Sequence, residues 1–225
     1  MYSFTKDYLL SWIPKLPSYQ TFLYRLNLLT GAFQALANKL IGSFIPEDCS
    51  KLFSIVDSMP IITSGGRNRT GKVASEITAK GFCSTKNMYY YGCKIHTMAS
   101  VRLGKIPFPE SMIITPADDN DLTIFKQTWG DNIFSKVILG DKAYSDKEYF
   151  NHNKIKTQDI EMLTPIKGIK GQTKEIKQRD KAFNDLFSSA VSRVRQPIES
   201  FFNWLNEKTK IQRAMKVRST AGLLS

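Results

Sequence analysis

Leu52-Phe-Ser-Ile-Val-Asp57-Ser-Met59 is a short apolar run that closes on an acid, and Lys136-Val-Ile-Leu-Gly-Asp141 repeats the pattern further along the chain. Neither run alternates apolar with polar residues. Continuous apolar character over so few residues is what a strand needs when helices cover both faces of its sheet. The two runs therefore predict buried strands with Asp57 and Asp141 near their C-terminal ends.

Between them, Met88-Tyr-Tyr-Tyr-Gly-Cys-Lys-Ile-His-Thr-Met98 and Ser111-Met-Ile-Ile-Thr115 are aromatic and β-branched runs that predict an antiparallel pair. Residues 119–129 read as a helix, residues 146–153 as another, and Met162-Leu-Thr-Pro-Ile166 as a fifth strand. The stretch from Ser64 to Lys86 is polar and positively charged, and predicts a loop; Lys167 to Lys181 predicts an exposed basic connector. From Asp180 to Thr209, Leu186, Val191, Val194, Ile198, Phe201, Phe202 and Leu205 recur at helical spacing, with Pro197 marking a kink or a fresh helix start. The expected fold is α/β, with a mixed five-stranded sheet and flanking helices. Chains of this order can set the first and fourth strands side by side, which would bring Asp57 and Asp141 together.

Upstream, Phe22, Leu26, Leu29, Phe33, Leu36 and Leu40 predict a small helical segment, residues 1–50, ahead of a larger α/β domain, residues 51–225. The most apolar stretch, Leu28 to Ile45, is interrupted by Gln34, Asn38 and Lys39. It reads as a packed amphipathic helix rather than a membrane span, which needs about 18 apolar residues or more.

At 225 residues, with 42% hydrophobic and 23% charged side chains, the composition excludes disordered, collagen-like and coiled-coil classes. Thirty-two Lys and Arg against 20 Asp and Glu leave a net charge of +12. That excess suits a polyanion, nucleic acid before an anionic membrane, and is also compatible with a merely basic soluble protein. Cys49, Cys83 and Cys93 form no CxxC pair, which fits a reducing cytoplasm better than a disulfide framework or a zinc knuckle.

Carboxylates gathered beside so much positive charge suit hard divalent cations, because oxygen-only donors favour Mg²⁺ or Mn²⁺. Two such ions can activate an attacking oxygen and stabilise a leaving oxygen at a phosphodiester. The third carboxylate singled out is Glu199, at the edge of the helical stripe formed by Ile198, Phe202 and Leu205. Each acid also has a plainer reading: Asp57 and Asp141 suit turns, and Glu199 suits the first turn of a helix. Asp118, Asp119 and Asp121 read as helix caps, and so does Asp146. His96 reads as a packed, hydrogen-bonded histidine rather than a base.

Four segments, Ile55-Val-Asp57-Ser-Met-Pro60, Tyr91-Gly-Cys-Lys-Ile-His96, Leu139-Gly-Asp141-Lys-Ala-Tyr144 and Arg195-Gln-Pro-Ile-Glu199-Ser-Phe-Phe-Asn-Trp-Leu205, together resemble insertion-sequence DDE transposases. The closest likeness is to bacterial family nine-eighty-two, related to a group with a Tyr, Arg, Glu, Lys signature. The resemblance covers residues 54–224. It implies an RNase H-like fold, two Mg²⁺ or Mn²⁺ ions held by Asp57, Asp141 and Glu199, and DNA cleavage with strand transfer at element ends. By the same resemblance Arg195 matches the signature arginine, whose task is to hold a phosphate or orient the glutamate. Ser192 and Asn206 stand where the related group has tyrosine and lysine, so those two roles do not carry over.

Arg67, Arg69, Lys72, Lys94 and Lys142 are the further candidates for contacts to the DNA backbone. Tyr89, Tyr90 and Tyr91 suit either base stacking or a half-buried strand. The implied partners are double-stranded DNA, as element ends and target, and a homo-oligomer, with no membrane; the implied location is the bacterial cytoplasm, on the nucleoid. Family members carry more N-terminal sequence and an apolar C-terminal helix, so a C-terminal truncation or a decayed element is expected. Two other readings stay open: an RNase H-like nuclease or resolvase without strand transfer, and an inert DNA-binding remnant.

Overall fold

A computed structural model describes residues 2–13, 15–65, 72–84, 86–152, 158–169, 171–214 and 219–224. Among them the strands are β1 (Phe53–Gly65), β2 (Ala79–Cys83), β3 (Met88–Ser100), β4 (Phe108–Pro116), β5 (Lys136–Leu139) and β6 (Ile160–Leu163). The helices are α1 (Tyr2–Tyr8), α2 (Tyr19–Leu28), α3 (Thr30–Ser43), α4 (Asp121–Thr128), α5 (Lys147–Asn151), α6 (Lys174–Arg195), α7 (Pro197–Thr209) and α8 (Thr220–Leu224).

One mixed sheet organises the chain. β3 pairs antiparallel with β1, β1 pairs parallel with β5, and β5 pairs parallel with β6. The outer edge of β3 is shared: β2 takes Met88 to Gly92 and β4 takes Cys93 to Ser100, both antiparallel. The sheet is thus six-stranded rather than five-stranded, because the expected loop from Ser64 to Lys86 contains β2. Ala79-Lys-Gly-Phe-Cys83 has little intrinsic strand character. It is extended because the long β3 offers it unpaired backbone groups.

Both faces of the central strands are covered, as their unbroken apolar runs require. On one face Ile55, Met59, Ile61, Cys93, Ile95 and Ala99 pack against Ile198, Phe201 and Phe202 of α7. On the other, Val56, Met98, Ile138 and Ile160 pack against Phe125 and Trp129 of the α4 region and against Tyr144. This architecture is RNase H-like: a mixed sheet with antiparallel strands first, parallel strands after, and helices on both sides.

Three expectations need correction. Asp57 lies within β1 rather than near its end, because β1 continues to Gly65 along β3 after β5 has left it. Helix α6 begins at Lys174, so half of the expected basic connector is helical; its Lys, Glu and Gln residues are good helix formers that need no core. The segment from Leu28 to Ile45 does not form one packed amphipathic helix. It breaks at Leu29 into α2 and α3, and neither helix has a buried residue. Apolar periodicity marks which side of a helix is apolar and leaves open what covers it.

Pro197 starts α7 at its first helical position, where the missing N–H costs nothing. Only Gln196 separates α6 from α7, so Arg195 and Glu199 stand on either side of this joint. Among the described residues no helix is long and apolar enough to cross a membrane.

Candidate active site

The parallel register of β1 and β5 brings the two aspartates together. Ile55 pairs with Leu139, the last residue of β5. Asp57 and Asp141 each follow two residues later, at the point where the strands part. Asp141 accepts an N–H from Ala143 at 2.7 Å and so caps the 3₁₀ turn Lys142–Tyr144. Gly140 leaves little room for a side chain there, since a Cβ would lie 3.0 Å from Tyr144, which would have to shift. The Gly-Asp-Lys-Ala-Tyr sequence is thereby explained: the glycine admits the buried tyrosine, and the turn aims Asp141.

Asp57 accepts the Ser58 N–H at 2.8 Å and receives Arg195 Nη1 on Oδ2 at 2.5 Å. The other arm of the same guanidinium, Nη2, lies 3.4 Å from Glu199 Oε1. Arg195 is therefore a bridge between Asp57 on the sheet and Glu199 on the first turn of α7. Its Nε is buried without a partner. Burial lifts the Asp57 carboxyl to about 7, against the downward pull of Arg195 and the Ser58 N–H; nearby Asp141 and Asp121 add to the rise. Glu199 is open to solvent, with 58% of its side chain exposed.

Asp57, Asp141, Glu199, Arg195 and Lys94 line one cleft of about 530 Å³. Asp121 lines it too, a fourth carboxylate whose sequence reading as a cap does not hold. Asn120 caps α4 instead, accepting the N–H groups of Leu122 and Thr123. Asp121, one residue on, turns toward the cleft and accepts Lys94 Nζ at 3.0 Å. Lys94 also donates to the Asp119 carbonyl at 2.7 Å, so it holds the start of α4. No signal in the sequence separates a capping acid from one facing the sheet, because both occupy the same helical turn. His96 is fully buried, with Nε2 2.9 Å from Thr115 Oγ1.

The other cationic candidates are spread out. Lys142 is exposed and faces a neighbouring groove with Lys167, Lys177 and Lys181. Lys72 is exposed and does not line the carboxylate cleft. Arg67 and Arg69 lie outside the described residues.

Four carboxylates, all-oxygen donors, suit a hard divalent cation in chemistry, and a half-buried carboxyl lifted to about 7 is a group that a cation would draw toward its ionised form. Among the described residues no three of them converge closely enough to share one ion as they stand, with Arg195 occupying Asp57 and Glu199.

An RNase H-like sheet carrying carboxylates in a cleft of a strongly basic chain defines an enzyme of the nucleic-acid-cleaving class. The chain belongs to the transposase DDE domain family, whose family model matches residues 48–221. That membership brings the transposase type of nuclease, DNA as substrate and divalent-metal chemistry. Among curated proteins none matches the chain.

Proposed function

We propose that the chain catalyses cleavage and strand transfer at the ends of an insertion sequence related to family nine-eighty-two, with Asp57, Asp141 and Glu199 as its catalytic carboxylates. The observation that carries the reading is the β1–β5 register: Ile55 pairs with Leu139, and Asp57 and Asp141, 84 residues apart in sequence, each follow two residues beyond that pair, Asp57 within β1 and Asp141 just past the end of β5, in one cleft with Glu199.

Two Mg²⁺ or Mn²⁺ ions, when bound, neutralise the charge that develops at the scissile phosphodiester. The chain's own residues do the rest. Asp57, Asp141 and Glu199 would hold the ions, while Arg195, hydrogen-bonded to Asp57 and within reach of Glu199, orients these two carboxylates. The Lys94–Asp121 pair keeps α4 against the cleft floor. Lys72, Lys142 and the arginines Arg67 and Arg69 draw the DNA backbone to the surface by charge. Water is the first nucleophile and a DNA 3′-hydroxyl the second, and the work is done on the nucleoid in the bacterial cytoplasm.

Joining of DNA distinguishes this function from simple hydrolysis. Labelled DNA taken from either flank of the coding sequence, incubated with the protein, Mn²⁺ and a target plasmid, is expected to give covalent joints between its 3′-hydroxyl and the plasmid. Nicks without joints would reduce the assignment to a nuclease.

A further inference from the structure

The hairpin of β2 and β3 carries an aromatic pair that the catalytic reading does not use. Phe82 sits opposite Tyr89, with ring centroids 5.0 Å apart and planes inclined at 57°. Their sequence neighbours Gly81, Cys83 and Tyr90 turn inward and are buried. Phe82 and Tyr89 turn outward, 50% and 58% exposed. Alternation along β3 puts Tyr89 on the same face as Thr97, which is the partner of Asp57. Phe82 also lines the carboxylate cleft itself, as does the exposed Lys86 of the hairpin turn. On the outer side Lys80 Nζ stands over the Tyr89 ring, 5.1 Å from its centroid.

Aromatic faces flanked by lysines suit a polyanion with accessible bases. Within a duplex both faces of each base are already stacked, so a side-chain ring finds a partner only on a base released from pairing. Tyr89 lies eight steps along β3 from Thr97, about 26 Å at ~3.3 Å per residue. A strand whose phosphate lies at Asp57 reaches the pair within a few nucleotides.

We propose that Phe82 and Tyr89 form a stacking platform for an unpaired stretch of the DNA strand bound in the cleft, with Lys80 and Lys86 holding its phosphates. The platform rests on the reading that DNA occupies the carboxylate cleft. Its substrate is DNA locally melted beside the reacting phosphate, rather than continuous duplex.

The test compares two labelled duplexes of one sequence, one fully paired and one with a short internal unpaired stretch containing 2-aminopurine, bound without divalent cations so that nothing is cut. The wild-type protein is expected to prefer the unpaired duplex by about tenfold and to quench the 2-aminopurine. Phe82→Ala with Tyr89→Ala is expected to lose the preference and the quenching while keeping its affinity for paired DNA; Phe82→Tyr with Tyr89→Phe keeps both. Equal binding of the two duplexes by the wild-type protein overturns the platform alone. Failure to bind either duplex overturns the DNA reading of the cleft with it. A preference that survives the double alanine variant, or self-association that the variant abolishes, assigns the pair to hairpin packing or to a protein contact and equally overturns the proposal.

Discussion

Arg195 donates to Asp57 with one arm and reaches Glu199 with the other, so the spacing of these carboxylates depends on a single planar cation. Lysine offers one point charge and cannot span both. Arg195→Lys is expected to lower the rate of DNA cleavage by about tenfold or more with folding unchanged, the usual cost of losing a partner that orients metal-binding carboxylates. Cleavage kinetics alongside a thermal melt check this, and unchanged kinetics would make Arg195 a packing residue. At this scale the lining of the candidate cleft was largely legible. Asp57, Asp141, Glu199 and Arg195 stand in segments that resemble a known pattern, and all four line the cleft. Asp121 was not legible, because an acid at the start of a helix has a sufficient local explanation in capping, and only the packing of α4 on the sheet turns it inward. Lys94 reads from the sequence as a phosphate contact; in the fold its ammonium donates to Asp121 and to the Asp119 carbonyl, and it lines the cleft.

Strands and helices were legible where their burial is one-sided or complete, and obscure where another element supplies the reason for them. β1, β3, β4 and β5 announce themselves by apolar or β-branched runs, whereas β2 exists through the free edge of β3. The end of β1 is obscure for a related reason: Asp57 interrupts its apolar run, yet the strand continues along β3 to Gly65, with one irregularity between Ile62 and Ser64. Where β1 and β5 begin, a half-buried polar knot ties the sheet together. Glu110 of β4 receives Lys136 Nζ of β5 at 2.6 and 2.7 Å, along with the hydroxyls of Ser54 on β1 and Ser100 on β3. Lys136 also donates to Ser54 at 3.0 Å. Four strands share this carboxylate. Glu110→Gln leaves Lys136 largely buried with no counter-charge, and is expected to cost about 2–4 kcal/mol, near the lower end for breaking a buried pair because both groups keep some water contact. Urea denaturation measures it; a loss below about 0.5 kcal/mol would show that the pair contributes no more than surface charges do.

Across the whole molecule, the net charge of +12 and the cluster of acids in one cleft set two opposing fields. The basic surface draws in a polyanion, and the acids repel it unless cations intervene, which is why the account requires divalent metal at the cleft rather than at the lysines. Sequence reading reached this contrast and the fold class. It did not reach the arrangement of the N-terminal helices, whose apolar residues Phe33, Leu36 and Leu40 remain exposed, because periodicity within a helix carries no information about its distant partners. The measurement that bears most directly on the central claim is nicking of a supercoiled plasmid carrying the DNA flanking the coding sequence, in Mg²⁺ or Mn²⁺. The wild-type protein is compared with Asp57→Asn, Asp141→Asn and Glu199→Gln. The account predicts metal-dependent nicks from the wild-type protein and none from any of the three variants, each of which binds the DNA as well or more tightly because a negative charge near the phosphate is gone. A variant that cuts at the wild-type rate, or cutting that persists after chelation of the metal, would contradict it.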